Sequence, residues 1–129
     1  MSIELKKANE YEKAEQEKIP VEEKPAFHVA APVGWINDPN GFSWYQGQIH
    51  LFYQYHPYTT EWGPMHWGHS VSDDMIHWKN MPSVLAPDQE YDKRGCFSGS
   101  AVEKDGKHVL IYTGAVSYTH LRAHETLAI

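Results

Sequence analysis

The sequence has 129 residues, 11 lysines and arginines against 17 aspartates and glutamates, and a formal net charge of −6. That length suits one small domain, and the acidic balance argues against a nucleic-acid-binding face, which requires clustered positive charge. No apolar run approaches the roughly 18 residues of a membrane span. The first ten residues are charged, unlike a secretory signal, and the single cysteine, Cys96, excludes an internal disulfide. We therefore expect a cytoplasmic protein with neither nucleic-acid nor membrane partners.

Residues 1–24 are dominated by charge, with five lysines and seven glutamates. Their few apolar residues lie near helical spacing, and Pro20 and Pro25 end the pattern. We predict a solvated helix from Ser2 to Lys18 that leans on the body of the protein and is followed by a linker, with the charged face keeping the chain soluble. A docking surface for a partner is the alternative role of this helix.

From Phe27 onward the sequence alternates short apolar runs with turn residues, which is typical of antiparallel strands. Strand-like runs flank Gln46-Gly47-Gln48 and, later, the turn at 104–107. The two hairpins resemble each other at an offset of 59 residues, from Gly47 to Gly106. Such a repeat favours a propeller built of four-stranded blades. At least four blades are needed to close the ring of a propeller. The pattern predicts one blade and the start of another.

The densest group of chemically useful residues is Trp35-Ile36-Asn37-Asp38-Pro39-Asn40-Gly41. As local structure its second half is typical of a turn, because Pro39 fixes φ and Asn40-Gly41 tolerate positive φ. As chemistry, the same turn fixes the Asp38 carboxylate at the end of a strand, beside aromatic side chains that can hold a sugar ring. Glycoside cleavage requires a carboxylate as nucleophile or base, paired with a second acid.

This heptapeptide resembles the signature of the glycoside hydrolase family that includes invertases, inulinases and sucrose-6-phosphate hydrolases. The similarity runs from about Phe27 to Gly114. Several motifs in register are far more specific than one heptapeptide, and the chain is identified as a member of this family on all of them together. The further segments that agree in order and spacing are 51–57, 62–69, 72–78 and 97–101.

The resemblance implies an all-β fold, in which residues 25–115 form the first blade and the start of the second blade of a five-bladed β-propeller, preceded by a short N-terminal helix. It also implies a retaining β-fructofuranosidase that needs no cofactor or metal and acts on a small-molecule sugar. The expected substrate is the terminal β-D-fructofuranosyl unit of sucrose, sucrose 6-phosphate or a short fructan. Asp38 matches the family's nucleophile. The residues that the resemblance puts around the sugar are Trp35, Ile36, Asn37, Gln54, Trp62, Phe97 and Ser98.

Two further motifs of the family do not occur in this sequence. One is an Arg-Asp-Pro whose Asp stabilises the transition state, and the other is a Glu-Cys whose Glu is the general acid and base. We therefore expect an N-terminal fragment that is inactive by itself, because no acid here protonates the leaving oxygen. A non-catalytic sugar-binding propeller is the alternative function, and the downstream Asp and Glu would discriminate between the two.

Residues 116–129 leave the family pattern and resemble the translation of a transposase adapter used in making sequencing libraries. Such processing scars are excluded from fold reasoning. We expect a non-native tail that makes few contacts with the body, and we expect the preceding strand to end near Gly114.

The histidines are numerous enough to raise the possibility of a metal site. His66 and His69 form an H-x-x-H pair, with His50 and His56 nearby. No Cys or Glu stands at zinc-site spacing from them, so the sequence predicts no metal.

Overall fold

The chain folds into one N-terminal helix and two antiparallel β-sheets. The computed structural model describes the backbone of residues 1–117 and 120–128 and the side chains of residues 1–116. No helix in this described part is long and apolar enough to cross a membrane. Its elements are α1 (Ile3–Gln16), a 3-10 turn (Val21–Glu23), β1 (Trp35–Tyr45), β2 (Gln48–His56), β3 (His66–Ser72), β4 (Lys79–Leu85), β5 (Gly95–Lys104), β6 (Lys107–Ser117) and β7 (His120–Ala128).

The strands form two sheets that follow the order of the chain. The first sheet has the order β1-β2-β3-β4 and the second has the order β5-β6-β7, with every neighbouring pair antiparallel. The leading strands β1 and β5 lie against each other. Up-and-down sheets that meet at their first strands are the arrangement of successive propeller blades. The prediction of a first blade, the start of a second and a preceding helix is confirmed.

The hydrophobic core lies where the two sheets face each other. Side chains alternate between the two faces of a strand, so each sheet contributes every second residue to this layer. Burying one large apolar side chain stabilises the fold by about 1.5–3 kcal/mol, and neither sheet could bury its inner face alone. The core residues are Phe52, Trp67 and Leu85 from the first sheet and Cys96, Leu110 and Tyr112 from the second.

Helix α1 covers the outer edge of the first sheet at β4. The Asn9 side chain donates to the carbonyl of Ser83 (3.2 Å) and accepts from its N–H (2.8 Å), as the backbone of another strand would. Glu12 accepts a hydrogen bond from the Ser83 hydroxyl, and burial raises the pKa of this carboxyl. The helix therefore protects an edge strand that would otherwise expose unpaired main-chain groups.

The helix is slightly shorter than the predicted span of Ser2 to Lys18. Ser2 lies outside it as the N-cap, and its hydroxyl accepts a hydrogen bond from the N–H of Leu5 (3.2 Å). That bond satisfies one of the unpaired N–H groups of the first turn. The charged face is exposed and the opposite face packs against β4, as predicted for a helix that leans on the body.

The end of the chain differs from the prediction. β6 continues to Ser117, and β7 pairs with it, so the expectations of a strand ending near Gly114 and of a tail with few contacts were wrong. Sheet pairing uses main-chain groups that every residue except proline carries, so an unpaired edge accepts an extended segment whatever its sequence. Residues 118, 119 and 129, and the side chains from 117 onward, lie outside the described residues. The foreign origin of residues 116–129 therefore stays a prediction.

Three imidazole rings meet at the interface between the sheets. His50 donates from Nε2 to the carbonyl of Tyr45 (3.2 Å), so its Nδ1 must accept from Nε2 of His69 (3.0 Å). The Ser43 hydroxyl donates to a carbonyl in its own strand, so it must accept from Nε2 of His108 (2.8 Å). Because burial lowers their pKa values, the three rings are neutral near pH 7, and these bonds assign the single proton of each ring to Nε2. We call His50, His69 and His108 the histidine cluster.

The histidine cluster resists protonation. Burial lowers the pKa of His50, lowers that of His69 to about 3 and lowers that of His108 to about 4, from an ordinary value of 6.5. Repulsion from the neighbouring imidazoles lowers the pKa of His69 and of His108 further. An unfolded chain would release all three rings into water and restore their ordinary pKa.

We predict that acid destabilises the chain through this cluster. Below pH 6.5 the histidines of the unfolded chain become protonated, whereas His69 and His108 in the folded chain stay neutral down to about pH 3–4. The unfolded state therefore binds more protons, and the free energy of unfolding should fall as the pH falls through that window. His69→Gln should make the dependence shallower between pH 7 and 5 in urea unfolding followed by tryptophan fluorescence. His28→Gln, at an exposed histidine that makes no hydrogen bond or ion pair with another described residue, is the matched control. An unchanged slope in His69→Gln would show that the cluster does not govern acid stability.

A second prediction concerns the tail. Deleting residues 118–129 should leave the thermal midpoint and the solubility unchanged, because main-chain pairing at a sheet edge largely replaces hydrogen bonds to water. The matched control deletes residues 1–12, which removes Asn9 from β4 and should lower the midpoint. If the tail deletion lowered the midpoint as much as the control does, the residues would be a native part of the fold.

Candidate functional site

Asn37 and Asp38 lie in a bulge of β1. The register of β1 against β2 shifts between Ile36 and Pro39, so these two residues together oppose the single residue Gln54. A bulge of this kind releases a residue from the ladder and re-aims its side chain. The segment predicted as a turn is therefore an irregularity within one continuous strand, and Pro39, which lacks an N–H, suits that place.

The Asp38 carboxylate is exposed and makes no hydrogen bond or ion pair with any other residue whose side chain the structure describes. Its neighbour Asn37 is oriented by Trp35, whose Nε1 donates to Asn37 Oδ1 (2.8 Å). That bond uses the oxygen of the amide and leaves the NH2 group as a donor. The bulge thus presents one free carboxylate and one oriented amide side by side.

A second bulge interrupts β5. Phe97 pairs with Thr113 and Gly99 with Tyr112, so Ser98 is the extra residue between them and its side chain is exposed.

An aromatic pair lies beside this second bulge. The rings of Phe97 and Trp62 are edge to face, with centroids 6.5 Å apart, and Trp62 is 47% exposed. An exposed indole packed against a second ring is a common apolar wall for a ligand.

Three side chains of the first sheet, one each from β1, β2 and β3, hold the main chain of β5 around this bulge. Gln54 donates to the carbonyl of Cys96 (3.0 Å). Trp67 donates from Nε1 to the carbonyl of Phe97 (3.1 Å). Asn40 accepts from the N–H of Gly99 (3.3 Å). We call Asn40, Gln54 and Trp67 the β5 clamp.

The clamp includes two residues that the sequence did not single out. Asn40 and Trp67 both lie in segments that carry the family resemblance, but nothing in their local pattern shows that they reach across to another sheet. Gln54, expected at the sugar, is only 3% exposed and uses its amide nitrogen on Cys96.

The structure brings some of the expected site residues into contact and not others. Trp35 contacts Asn37, and Trp62 contacts Phe97. Ile36 is partly exposed on β1, and the Ser98 hydroxyl makes no hydrogen bond with another described residue.

A buried carboxylate anchors the loop that leads into β5. Asp92 is fully buried and accepts from the Tyr112 hydroxyl (2.6 Å), the N–H of Gln89 (2.7 Å) and the Cys96 thiol (3.7 Å). Burial, with the neighbouring carboxylate, raises the pKa of the Cys96 thiol. Cys96 is therefore a packed part of this anchor and not a nucleophile.

The histidines considered as metal ligands are held apart. His66 donates from Nδ1 to the carbonyl of Pro64 (3.1 Å), whereas His69 bonds His50 in the histidine cluster. Among the described residues, no three His, Cys, Asp or Glu side chains lie close enough together to hold a metal ion.

The burial of Cys96 yields a direct prediction. Its thiol should react with a disulfide reagent far more slowly in the folded chain than in urea, because it is buried and protonated. Ser100→Cys, at an exposed position of the same strand, is the matched control and should react at once. Fast labelling of Cys96 in the native chain would mean that the anchor around Asp92 opens readily.

Comparison with known proteins relates this chain to sugar hydrolases. The glycosyl hydrolases family 32 N-terminal domain matches residues 28–129. A sucrose-6-phosphate hydrolase of Escherichia coli is 61% identical over 92 residues, which cover 71% of this chain and 19% of that protein. The enzyme of the same name from Zymomonas mobilis is 47% identical over 112 residues, or 87% of this chain and 22% of that protein. The chain thus spans about a fifth of the length of these relatives.

Solved structures of the same family resemble this chain in fold. The Bombyx mori GH32 β-fructofuranosidase superposes with a TM-score of 0.77 and 41% identity, over 93% of this chain and 26% of that chain. The sucrose-6-phosphate hydrolase of Lactobacillus gasseri superposes with a TM-score of 0.68 and 35% identity, over 85% of this chain and 21% of that chain. Such neighbours are five-bladed propeller enzymes, and this chain matches part of the ring.

Proposed function

The chain belongs to glycosyl hydrolase family 32, and we propose that it supplies the nucleophile and part of the fructose-binding wall of a retaining β-fructofuranosidase. The activity is proposed for the whole protein, since this chain spans about a fifth of its relatives. By itself the chain is expected to be inactive, because it carries neither the Arg-Asp-Pro nor the Glu-Cys motif.

The observation that carries the proposal is the state of Asp38. Its carboxylate is exposed in the β1 bulge and has no protein partner among the described side chains, so both oxygens are available to a ligand. In the proposed reaction one oxygen attacks the anomeric carbon of the fructosyl unit as the bond to the leaving oxygen breaks, and an acid supplied by the rest of the protein protonates that oxygen. Water then cleaves the covalent fructosyl ester and regenerates the carboxylate.

The surrounding residues suit a small polyhydroxylated ring. The free NH2 of Asn37 and the hydroxyl of Ser98 can bond sugar hydroxyls, and the pair of Trp62 and Phe97 offers an apolar wall. We propose that the sugar-binding set is Trp35, Ile36, Asn37, Gln54, Trp62, Phe97 and Ser98.

The proposed substrate is sucrose or sucrose 6-phosphate, with a short fructan as a further candidate. Two of the relatives above are sucrose-6-phosphate hydrolases. A mutant of the silkworm enzyme was solved in complex with sucrose, and a fructan exohydrolase of Cichorium intybus in complex with 1-kestose. A phosphorylated sugar does not diffuse through a membrane, since it carries charge. A cytoplasmic location is therefore part of the proposal.

The test is Asp38→Asn in the full-length protein. Asn keeps the shape of the side chain but cannot form the ester, so sucrose hydrolysis should fall by on the order of 10⁴-fold or more. Fructose binding, measured by calorimetry, should change little. Asp73→Asn, at an exposed carboxylate in the β3–β4 turn, is the matched control and should retain full activity.

Two outcomes would contradict the proposal. Hydrolysis by Asp38→Asn within tenfold of the unmodified protein would remove Asp38 from the nucleophile role. If the unmodified full-length protein bound fructose but hydrolysed no fructoside, it would instead be a non-catalytic sugar-binding propeller.

A further inference from the structure

Asn40 lies where the innermost strands of the two sheets meet. It is 4% exposed, and its Oδ1 accepts the N–H of Gly99 at 3.3 Å. The bond joins residues 59 positions apart in the chain. Asn40 is the only member of the β5 clamp that bonds β5 after the Ser98 bulge. Gln54 and Trp67 bond carbonyls that precede the bulge.

The bond also sits between the two bulges. Asn40 follows Asp38 by two residues on β1, and Gly99 follows Ser98 by one residue on β5. The Asn40–Gly99 bond therefore joins β1 and β5 between the bulge that carries the Asp38 carboxylate and the bulge that carries the Ser98 hydroxyl.

The backbone beside Asn40 is built for close approach. Gly41 has a φ of +52°, and a Cβ there would lie 2.7 Å from the ring of Phe52 and 3.0 Å from the Cβ of Ala101 on β5. Glycine is the one residue that permits both this backbone conformation and this contact. The strands can thus come near enough for a side chain as short as Asn40 to bridge them.

The other half of the Asn40 amide shows why an asparagine stands there. Its Nδ2 is buried and has no hydrogen-bond partner among the described residues. A flip of the amide would place the Asn40 NH2 group against the Gly99 N–H, so that two donors would face each other. The oxygen of the Asn40 amide must therefore be the atom that faces Gly99. A buried, unpaired donor is unfavourable, and an apolar residue would avoid it. The position therefore uses the acceptor oxygen at some cost to stability.

We infer that Asn40 is a positioning residue for the proposed sugar site, holding the Ser98 bulge of β5 in place against the Asp38 bulge of β1. The inference rests on the proposed function. Without the Asn40 oxygen, Gly99 loses its partner on β1, and Phe97 and Ser98 are free to move away from the carboxylate.

The test uses the full-length protein. Asn40→Ala should raise KM and lower kcat/KM by about 10- to 100-fold, because displacing binding groups by about 1 Å is enough for such a loss. Hydrogen exchange at the Gly99 amide should become faster. Asn40→Asp keeps an oxygen acceptor and should recover most of the loss. Asn9→Ala is the matched control, since it removes a similar side-chain bridge to Ser83 far from the site and should leave KM unchanged.

The outcomes separate positioning from a merely structural role. Loss of folded protein lowers the apparent kcat in proportion but leaves KM unaltered. A lower kcat with an unchanged KM in Asn40→Ala would therefore overturn the inference, and so would a kcat and a KM equal to those of the unmodified protein. Asn40→Ser, whose hydroxyl is too short to reach Gly99, repeats the test if the alanine variant does not fold. If Asp38→Asn stayed active, the proposed function would fail, whereas an inactive Asp38→Asn with a fully active Asn40→Ala would refute only the inference about Asn40.

Discussion

Side chains of β1, β2 and β3 bond the main chain of β5 at its start, and this β5 clamp determines where the second sheet lies. Gln54 and Trp67 bond successive carbonyls, and Asn40 bonds an N–H two residues later. An unpaired buried polar group costs about 1–3 kcal/mol, so sliding one sheet along the other would break several such bonds at once. Apolar packing brings the sheets together, but it is the directional bonds that specify their register.

The interface between the sheets is therefore more polar than a simple hydrophobic core. Beside the apolar residues it contains the histidine cluster, with His69 and His108 buried, and, in the loop before β5, the buried carboxylate of Asp92 with its three donors. A buried network of this kind is stable only while every member keeps the protonation state that its partners require. Neutral imidazoles satisfy that condition at neutral pH, which is why acid acts on this interface.

The two edges of the first sheet have different tasks. At the outer edge, Asn9 and Glu12 of α1 pair with Ser83, which prevents unwanted strand pairing. At the inner edge, β1 is interrupted by two bulges and β5 by one, which frees side chains from the sheet. The proposed site therefore lies where strand pairing is interrupted, and the β5 clamp bonds the main chain on both sides of the Ser98 bulge.

Local pattern was enough to predict the helix, the hairpins, the repeated blade and the family, because charge, alternation and turn residues act over a few positions. It also singled out Asp38. It did not show that Pro39 follows a bulge within a strand rather than forming a turn, that Gln54 and Asn40 reach across to β5, or that β7 pairs with β6. Each of these was decided by contacts between residues distant in the chain. Proline suits a bulge or a turn, an amide bonds whichever main-chain group it meets, and a sheet edge accepts almost any extended segment, so only the assembled sheets select among these outcomes.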